Sequence, residues 1–296
     1  MSHIMNRISE DGDRIESLYS GVNEDKLIDE INSLNCISWN IRGLRGKFDR
    51  IKKFLSELKI ELNVILIVET WLTEDTLYLS KLEYYQSYEF VRNVKKGGGV
   101  SIYIADDLQS KRISDMECGE DGTCESVFVE IIKNGYKFLF GNIYRPPGGN
   151  IEGFLLYLES ISEMLTIYKG NVLIGGDFNI DILSTKGWGD SLLSAFNSMG
   201  LTNFISQHTR VTTQSASCVD NIFLDFQLCV KCCDILVTDI SDHYPIMGSI
   251  GLKTPKFGNY SYVDSEAYRL IDWRKISQVM IFLLIFMGIQ ILMHAL

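Results

Sequence analysis

From Cys36 to Leu252 the apolar residues fall in runs of strand length, and most of these runs stop at Asn, Asp, Glu or Gly. The runs over 35–40, 63–69, 88–93, 99–105, 126–132, 136–144, 171–176, 219–224, 234–238 and 244–250 predict strands. Only 47–59, 151–168 and 189–199 repeat apolar residues at three- and four-residue spacing, and these predict helices. So many strands with so few helices exclude a regular strand–helix alternation. They predict two packed sheets flanked by helices, an α/β sandwich.

A chain of 296 residues with 46% apolar and 22% charged composition is long enough to bury one large core. Its formal charge of −10 is uneven: residues 1–35 carry eight acids and three bases, residues 253–296 five bases and three acids, which leaves −7 for the middle. That middle is no generic polyanion binder, although clustered carboxylates around a metal beside a local basic strip still suit a nucleic acid. Seven scattered cysteines form no disulfide framework and point to a reducing compartment. Cys229, Cys232 and Cys233 have no second ligand pair of matching spacing and read as ordinary thiols.

Residues 1–33 are an acidic, mobile arm, and Leu27, Ile28, Ile31 and Leu34 read as a short amphipathic helix leading from it into the domain. The domain is expected over 34–252 and a linker over 253–278. The apolar tail 279–296 just reaches membrane-spanning length. It is a membrane anchor or, because a shifted reading frame there encodes an ordinary polar segment, a frameshifted remnant.

Six blocks, each at a strand end, carry groups suited to phosphodiester hydrolysis: a metal to neutralise phosphoryl oxygens, a base for water, and donors for developing charge. Ile37–Leu44 ends a strand with Asn40 and a glycine turn, and Val64–Leu72 is a buried strand closing on the Glu69 carboxylate. Gly141–Pro147 runs into a proline turn expected to aim Tyr144 outward. Val172–Asn179 presents Asp177 and Asn179 after two glycines, which are read as a sharp turn. Ser217–Phe223 offers Asp220, and in Thr238–Pro245 the Asp242 carboxylate adjoins the His243 imidazole.

The combination W-N-x-x-G-L, x-E-T-W-L, N-x-Y-R-P-P, G-G-D-F-N, D-N-I-F and S-D-H-x-P over residues 36–251 resembles the endonuclease/exonuclease/phosphatase superfamily. E-T-W-L, Y-R-P-P and S-D-H-Y-P-I resemble its non-LTR retrotransposon branch. The resemblance implies a four-layer α/β/β/α sandwich of two mostly antiparallel sheets. It also implies a Mg²⁺-dependent endonuclease, with Mn²⁺ as a substitute, that nicks double-stranded DNA beside a reverse transcriptase module in the intact element. Carried over by motif, Glu69, Asn40 and Asp242 stand at the metal, Tyr144 donates to the scissile phosphate and Asp177 orients or deprotonates water. Asn179 holds a phosphoryl oxygen, and His243, bonded to Asp220, stabilises the transition state. Abasic-site enzymes have an acid where this chain has Arg42, which puts a second metal carboxylate in doubt there.

Arg42, Arg45, Lys47, Arg50, Lys52 and Lys53, then Arg92, Lys95 and Lys96, and also Arg210 and Thr212, are the expected DNA contacts. A DNA substrate implies a nuclear or nucleocytoplasmic location, and a genuine tail anchor a membrane one. The rival readings are an inositol phosphate or phospholipid phosphodiesterase of the same superfamily and a catalytically inactive interaction module.

Overall fold

The computed structural model describes residues 33–252, apart from 59, 93–96, 226–227 and the side chain of 229. The arm over 1–32, the linker, the apolar tail, Lys95 and Lys96 lie outside the described residues.

The first half of the chain forms β1 (Ser33–Asn40), α1 (Phe48–Glu57), β2 (Val64–Val68), β3 (Tyr85–Phe90), β4 (Val100–Ala105), β5 (Gln109–Arg112) and β6 (Gly119–Glu120). The central part forms β7 (Cys124–Lys133), β8 (Tyr136–Tyr144), α2 (Ile151–Ile167), β9 (Asn171–Asp177) and α3 (Gly189–Ser198). After these come β10 (Leu201–Asn203), β11 (Arg210–Val211), β12 (Ala216–Ser217), β13 (Asp220–Asp225), β14 (Cys229–Ile235) and β15 (Ile246–Gly251). One sheet has the order β14-β15-β1-β2-β4-β3 and the other β10-β13-β9-β8-β7-β5, with β6 on β7. All pairings are antiparallel except two: β1 with β2, joined through α1, and β8 with β9, joined through α2.

Strand alternation sorts side chains into three apolar slabs. Between the sheets, Leu34, Cys36, Val64, Leu66, Val68, Ile102 and Ile104 meet Val127, Val129, Phe138, Phe140, Leu173, Ile222 and Leu224. On the outside of the first sheet, Ile37, Trp39, Ile65 and Ile67 receive Ile51 and Phe54 of α1. On the outside of the second, Leu139, Ile143, Ile174 and Phe223 receive Phe154, Leu158, Ile161 and Leu165 of α2 with Leu192 and Phe196 of α3. The four apolar positions of α2 follow its helical period, and Asn150 caps it by accepting the Gly153 N–H at 3.0 Å. The result is the four-layer α/β/β/α sandwich.

Leu34 differs from the sequence expectation. It continues the inward alternation set by Cys36 and pairs with Ile250 of β15, so it belongs to a strand rather than to a helix. The same parity places Asn40, Tyr144, Asp177 and Asp220 on inter-sheet positions at one rim, two or four residues from core members of their own strands.

Candidate active site

The rim is assembled by backbone bonds between loops far apart in the chain. Gly43 and Leu44 N–H groups donate to Glu69 and Thr70 carbonyls at 2.8 and 2.9 Å, tying the turn after β1 to the turn after β2. Arg145 N–H donates to the Asp177 carbonyl at 2.9 Å, tying the ends of β8 and β9. Tyr244 N–H donates to Thr209 O at 2.7 Å, and Arg210 bridges His243, so the β11–β12 hairpin carries the loop before β15. Six non-glycine residues among those described have a left-handed backbone, and four of them, Arg42, Glu69, Trp71 and Asn179, surround this rim. Strain concentrated in one place is the usual mark of a site whose geometry is fixed by function.

Asn40 is the hinge of the cluster. Its Nδ2 donates to Glu69 Oε1 at 2.9 Å and to Asp177 Oδ2 at 2.7 Å, joining the carboxylates of the two sheets. Its Oδ1 accepts the Arg42 N–H at 3.0 Å, so the amide nitrogen, not the oxygen, faces the acids. Asn40 thereby holds the Glu69 and Asp177 carboxylates at a fixed separation. Asp177 also accepts Asn179 N–H at 2.9 Å and Asn179 Nδ2 at 3.1 Å, and Asn179 Nδ2 donates to Arg145 O at 2.8 Å.

Two glycines make this approach possible. A Cβ on Gly175 would come within 2.8 Å of Leu66 and 3.1 Å of Ser38 of the opposite sheet. Gly176 has φ +141°, and a Cβ there would lie 1.9 Å from the Ile143 carbonyl oxygen. The pair serves close passage of backbone as much as the expected turn.

His243 is buried, with Nδ1 2.8 and 3.0 Å from the two Asp220 oxygens and 3.9 Å from Asp177 Oδ2. Thr209 Oγ1 donates to Asp220 Oδ2 at 2.8 Å, and Trp39 Nε1 donates to the His243 carbonyl at 2.9 Å. Burial alone would lower the imidazolium, but Asp220, by charge and hydrogen bond, together with Asp177 and Asp242, pushes it up to about 9. Burial and the charge of Asp220 hold the Asp177 carboxyl well above the ordinary carboxylate range, against the pull of His243, the Asn179 N–H and Asn40. Ligand atoms of Asp177, Asp220 and His243 lie within 4.8 Å of one another. Asp177 and Asp220, with Glu69 across the Asn40 amide, offer hard carboxylate oxygens at this rim, a donor set that would suit Mg²⁺ or Mn²⁺.

Other expected residues are placed differently. Tyr144 is not aimed outward: it is 4% exposed in the inter-sheet core, because inward parity at the end of β8 decides its direction before the prolines do. Burial, then the charges of Glu69 and Asp177, raises its hydroxyl, which stays a proton donor. Asp242, expected beside Asn40 and Glu69, has its Oδ2 between Arg42 NH1 at 3.0 Å and Arg210 Nε at 3.1 Å. Arg92, expected on DNA, is ion-paired to the buried Glu125, whose other oxygen accepts the Gly99 N–H at 2.6 Å. Thr212 Oγ1 accepts N–H groups of Gln214 and Ser215 and closes the hairpin turn. Arg45 is exposed. Arg50 pairs with Asp239 at 2.7 Å, Lys52 with Asp49 at 2.8 Å, and Lys47 Nζ donates to Ile41 O at 2.7 Å.

Sequence reasoning missed the supporting roles of Thr209, Trp39 and Arg145. Arg145 is 4% exposed and donates to the carbonyls of Phe178, Asn179 and Gly149. Trp39 and Arg145 lie inside the motifs, but nothing in their spacing reveals which backbone atoms they bind.

A family model described as "Endonuclease/Exonuclease/phosphatase family" matches residues 37–243. A comparison with curated protein sequences found no match. Among solved structures, the endonuclease domain of TRAS1, a telomere-specific non-LTR retrotransposon, is similar with a TM-score of 0.60 at 16% identity, covering 74% of this chain and 99% of that one. The AP endonuclease LMAP from Leishmania major is similar at 0.62 and 15%, covering 78% and 91%. D. rerio TDP2 complexed with a single-strand DNA product is similar at 0.56 and 16%, covering 74% and 99%. At these identities the likeness is one of fold.

Proposed function

Because the chain belongs to the endonuclease/exonuclease/phosphatase family, we propose that it is a divalent-metal-dependent endonuclease that nicks double-stranded DNA, the target-cleaving module of a non-LTR retrotransposon. The observation that carries this reading is the Asn40 amide spanning Glu69 and Asp177 beside the His243–Asp220 pair. In the intact element a reverse transcriptase module accompanies it, and the nucleus is its place of action.

Glu69 would hold Mg²⁺ or Mn²⁺, which supplies charge neutralisation at the phosphoryl oxygens. Asn40 keeps Glu69 and Asp177 at a fixed separation. Asp177, with Oδ1 anchored by the Asn179 N–H, orients the attacking water and takes its proton, a role its raised pKa suits. Tyr144 donates to a phosphate oxygen. His243, kept cationic by Asp220, uses its other ring nitrogen to stabilise the charge that develops in the pentacovalent transition state. Arg42, Arg45 and Arg210 flank this centre as backbone contacts.

The purified full chain is expected to convert supercoiled plasmid to nicked circles in Mg²⁺ and to stop in EDTA. Asp177→Ala and His243→Ala are expected to be inactive. Release of phosphate from inositol phosphates in place of nicking would move the substrate to the phosphatase side of the family, and DNA binding without cleavage would make the chain an interaction module.

A further inference from the structure

Trp71 is an unusual choice for its position. Its backbone is left-handed, with φ +55°, a conformation that a large side chain adopts only when its surroundings compel it. Those surroundings are specific: Trp71 N–H donates to Gly98 O at 2.9 Å and Thr70 N–H to Gly99 O at 3.2 Å. The ring lies on Gly43, where a Cβ would approach it to 2.7 Å, and a Cβ on Gly97 would lie 3.8 Å from Nε1. Gly43 thus clears a seat for an indole that remains 39% exposed and contributes little to the core.

What the seat secures is one hydrogen bond. Trp71 Nε1 donates to Glu69 Oε2 at 3.1 Å, while Asn40 Nδ2 holds Oε1 at 2.9 Å. Glu69 is itself left-handed and half-buried, and its side chain has three rotatable bonds. With one donor on each oxygen the plane of the carboxylate is fixed, and each oxygen keeps a lone pair for a cation.

We propose that Trp71 is a positioning residue whose indole N–H orients the Glu69 carboxylate for the divalent cation. This rests on the reading that Glu69 holds that cation. The test uses the full chain, Mn²⁺ as the probe and free Mn²⁺ counted by electron paramagnetic resonance. Two replacements are compared: Trp71→Phe, and 3-benzothienylalanine at position 71, which keeps the two-ring shape and lacks the N–H. In both, Mn²⁺ affinity is expected to fall by on the order of tenfold. In nicking assays the Mn²⁺ requirement should rise while kcat at saturating Mn²⁺ is largely kept, and the unfolding temperature in EDTA should not move. Mn²⁺ affinity of the benzothienyl protein within about twofold of the unmodified chain would overturn the proposal, whatever Trp71→Phe does, because only ring packing would then matter. A folded unmodified chain that binds no Mn²⁺ would overturn the metal reading itself, and this inference with it.

Discussion

Glu69 and Asp177 stand at corresponding places in the two sheets, and the chain treats them in opposite ways. Each lies at the end of the second strand of a parallel pair, β1/β2 through α1 and β8/β9 through α2, and each accepts an N–H of Asn40. Glu69 lies just past its strand, half-buried, with its second oxygen on an indole at the rim. Asp177 is the last residue of its strand, has no exposed surface, and faces Asp220 and His243. The same strand–helix–strand unit, used twice, delivers one half-buried carboxylate at the rim and one fully buried beside a proton-bearing partner. In the proposed function this difference in environment is what divides the labour between them.

The largest expected effect separates these two roles. Asp177→Asn should cost on the order of 10³- to 10⁴-fold in nicking rate at every metal concentration, as removal of a general base does. Glu69→Gln should also be crippled at low Mg²⁺, yet regain a substantial part of its rate as Mg²⁺ or Mn²⁺ is raised, because a carboxamide remains a weak oxygen ligand. Plasmid nicking across a metal titration reads both. Equal indifference to metal in the two variants would erase the distinction.

Next in size is a difference in backbone tolerance. The residue before Asp177 is Gly176, with φ +141° and the Ile143 carbonyl where a Cβ would go; the residue before Glu69 is the buried core residue Val68. Gly176→Ala should therefore destabilise by about 3 kcal/mol or more, combining backbone strain with a direct clash. Val68→Ala should cost about 2 kcal/mol, mostly lost burial. Urea unfolding in EDTA orders them, and a tolerant Gly176→Ala would show that the second parallel pair is no more tightly built than the first.

A pH dependence should follow the buried side alone. His243 rises from an ordinary 6.5 to about 9 on folding, so its contribution is complete below pH 6.5 and is lost as pH climbs through about 9. Asp177, also raised, acts in the same direction: above the ordinary carboxylate range the folded form binds more protons than the unfolded form. Metal-free stability should thus decline from pH 6.5 to 9. Asp220→Asn should flatten that decline and return the His243 NMR titration toward its ordinary midpoint, an unchanged slope being the adverse result.

Much of this was legible before any coordinates. Apolar runs of strand length gave the strands, and a polar residue at the end of most of them marked the rim, because a carboxylate after a buried strand is costly unless it has a partner. Whatever depended on which atom a side chain meets was not legible. Asn40 shows its nitrogen to the acids, Tyr144 points inward by parity despite its proline turn, and Asp242 turns to Arg42 and Arg210. Leu34 read as helical because it lies three residues after Ile31, yet it also lies two before Cys36 and so fits the strand period equally. Thr209 gave no signal of its bond to Asp220, since a buried hydroxyl beside a histidine-bound carboxylate looks like any loop threonine until the hairpin docks.

The smallest expected effect concerns the basic residues, which the two sides of the rim again share unequally. Arg42, from the turn after β1, and Arg210, from the hairpin beside His243, meet on one carboxylate, so two positive charges and one negative leave a net positive corner with side chains 44% and 34% exposed. Arg92 is instead 17% exposed against Glu125, itself 3% exposed, and has little fork left to offer a phosphate. Arg42→Ala and Arg210→Ala should each reduce the slope of log affinity for DNA against log salt by about one. Arg92→Ala should leave that slope nearly unchanged but lower the unfolding midpoint, because it strands a buried carboxylate that also holds the Gly99 N–H. Salt titrations of DNA binding with catalytically silent Asp177→Asn protein separate the two behaviours. A full unit lost at Arg92 would place the DNA path over the glycine turn after β3 rather than between Arg42 and Arg210.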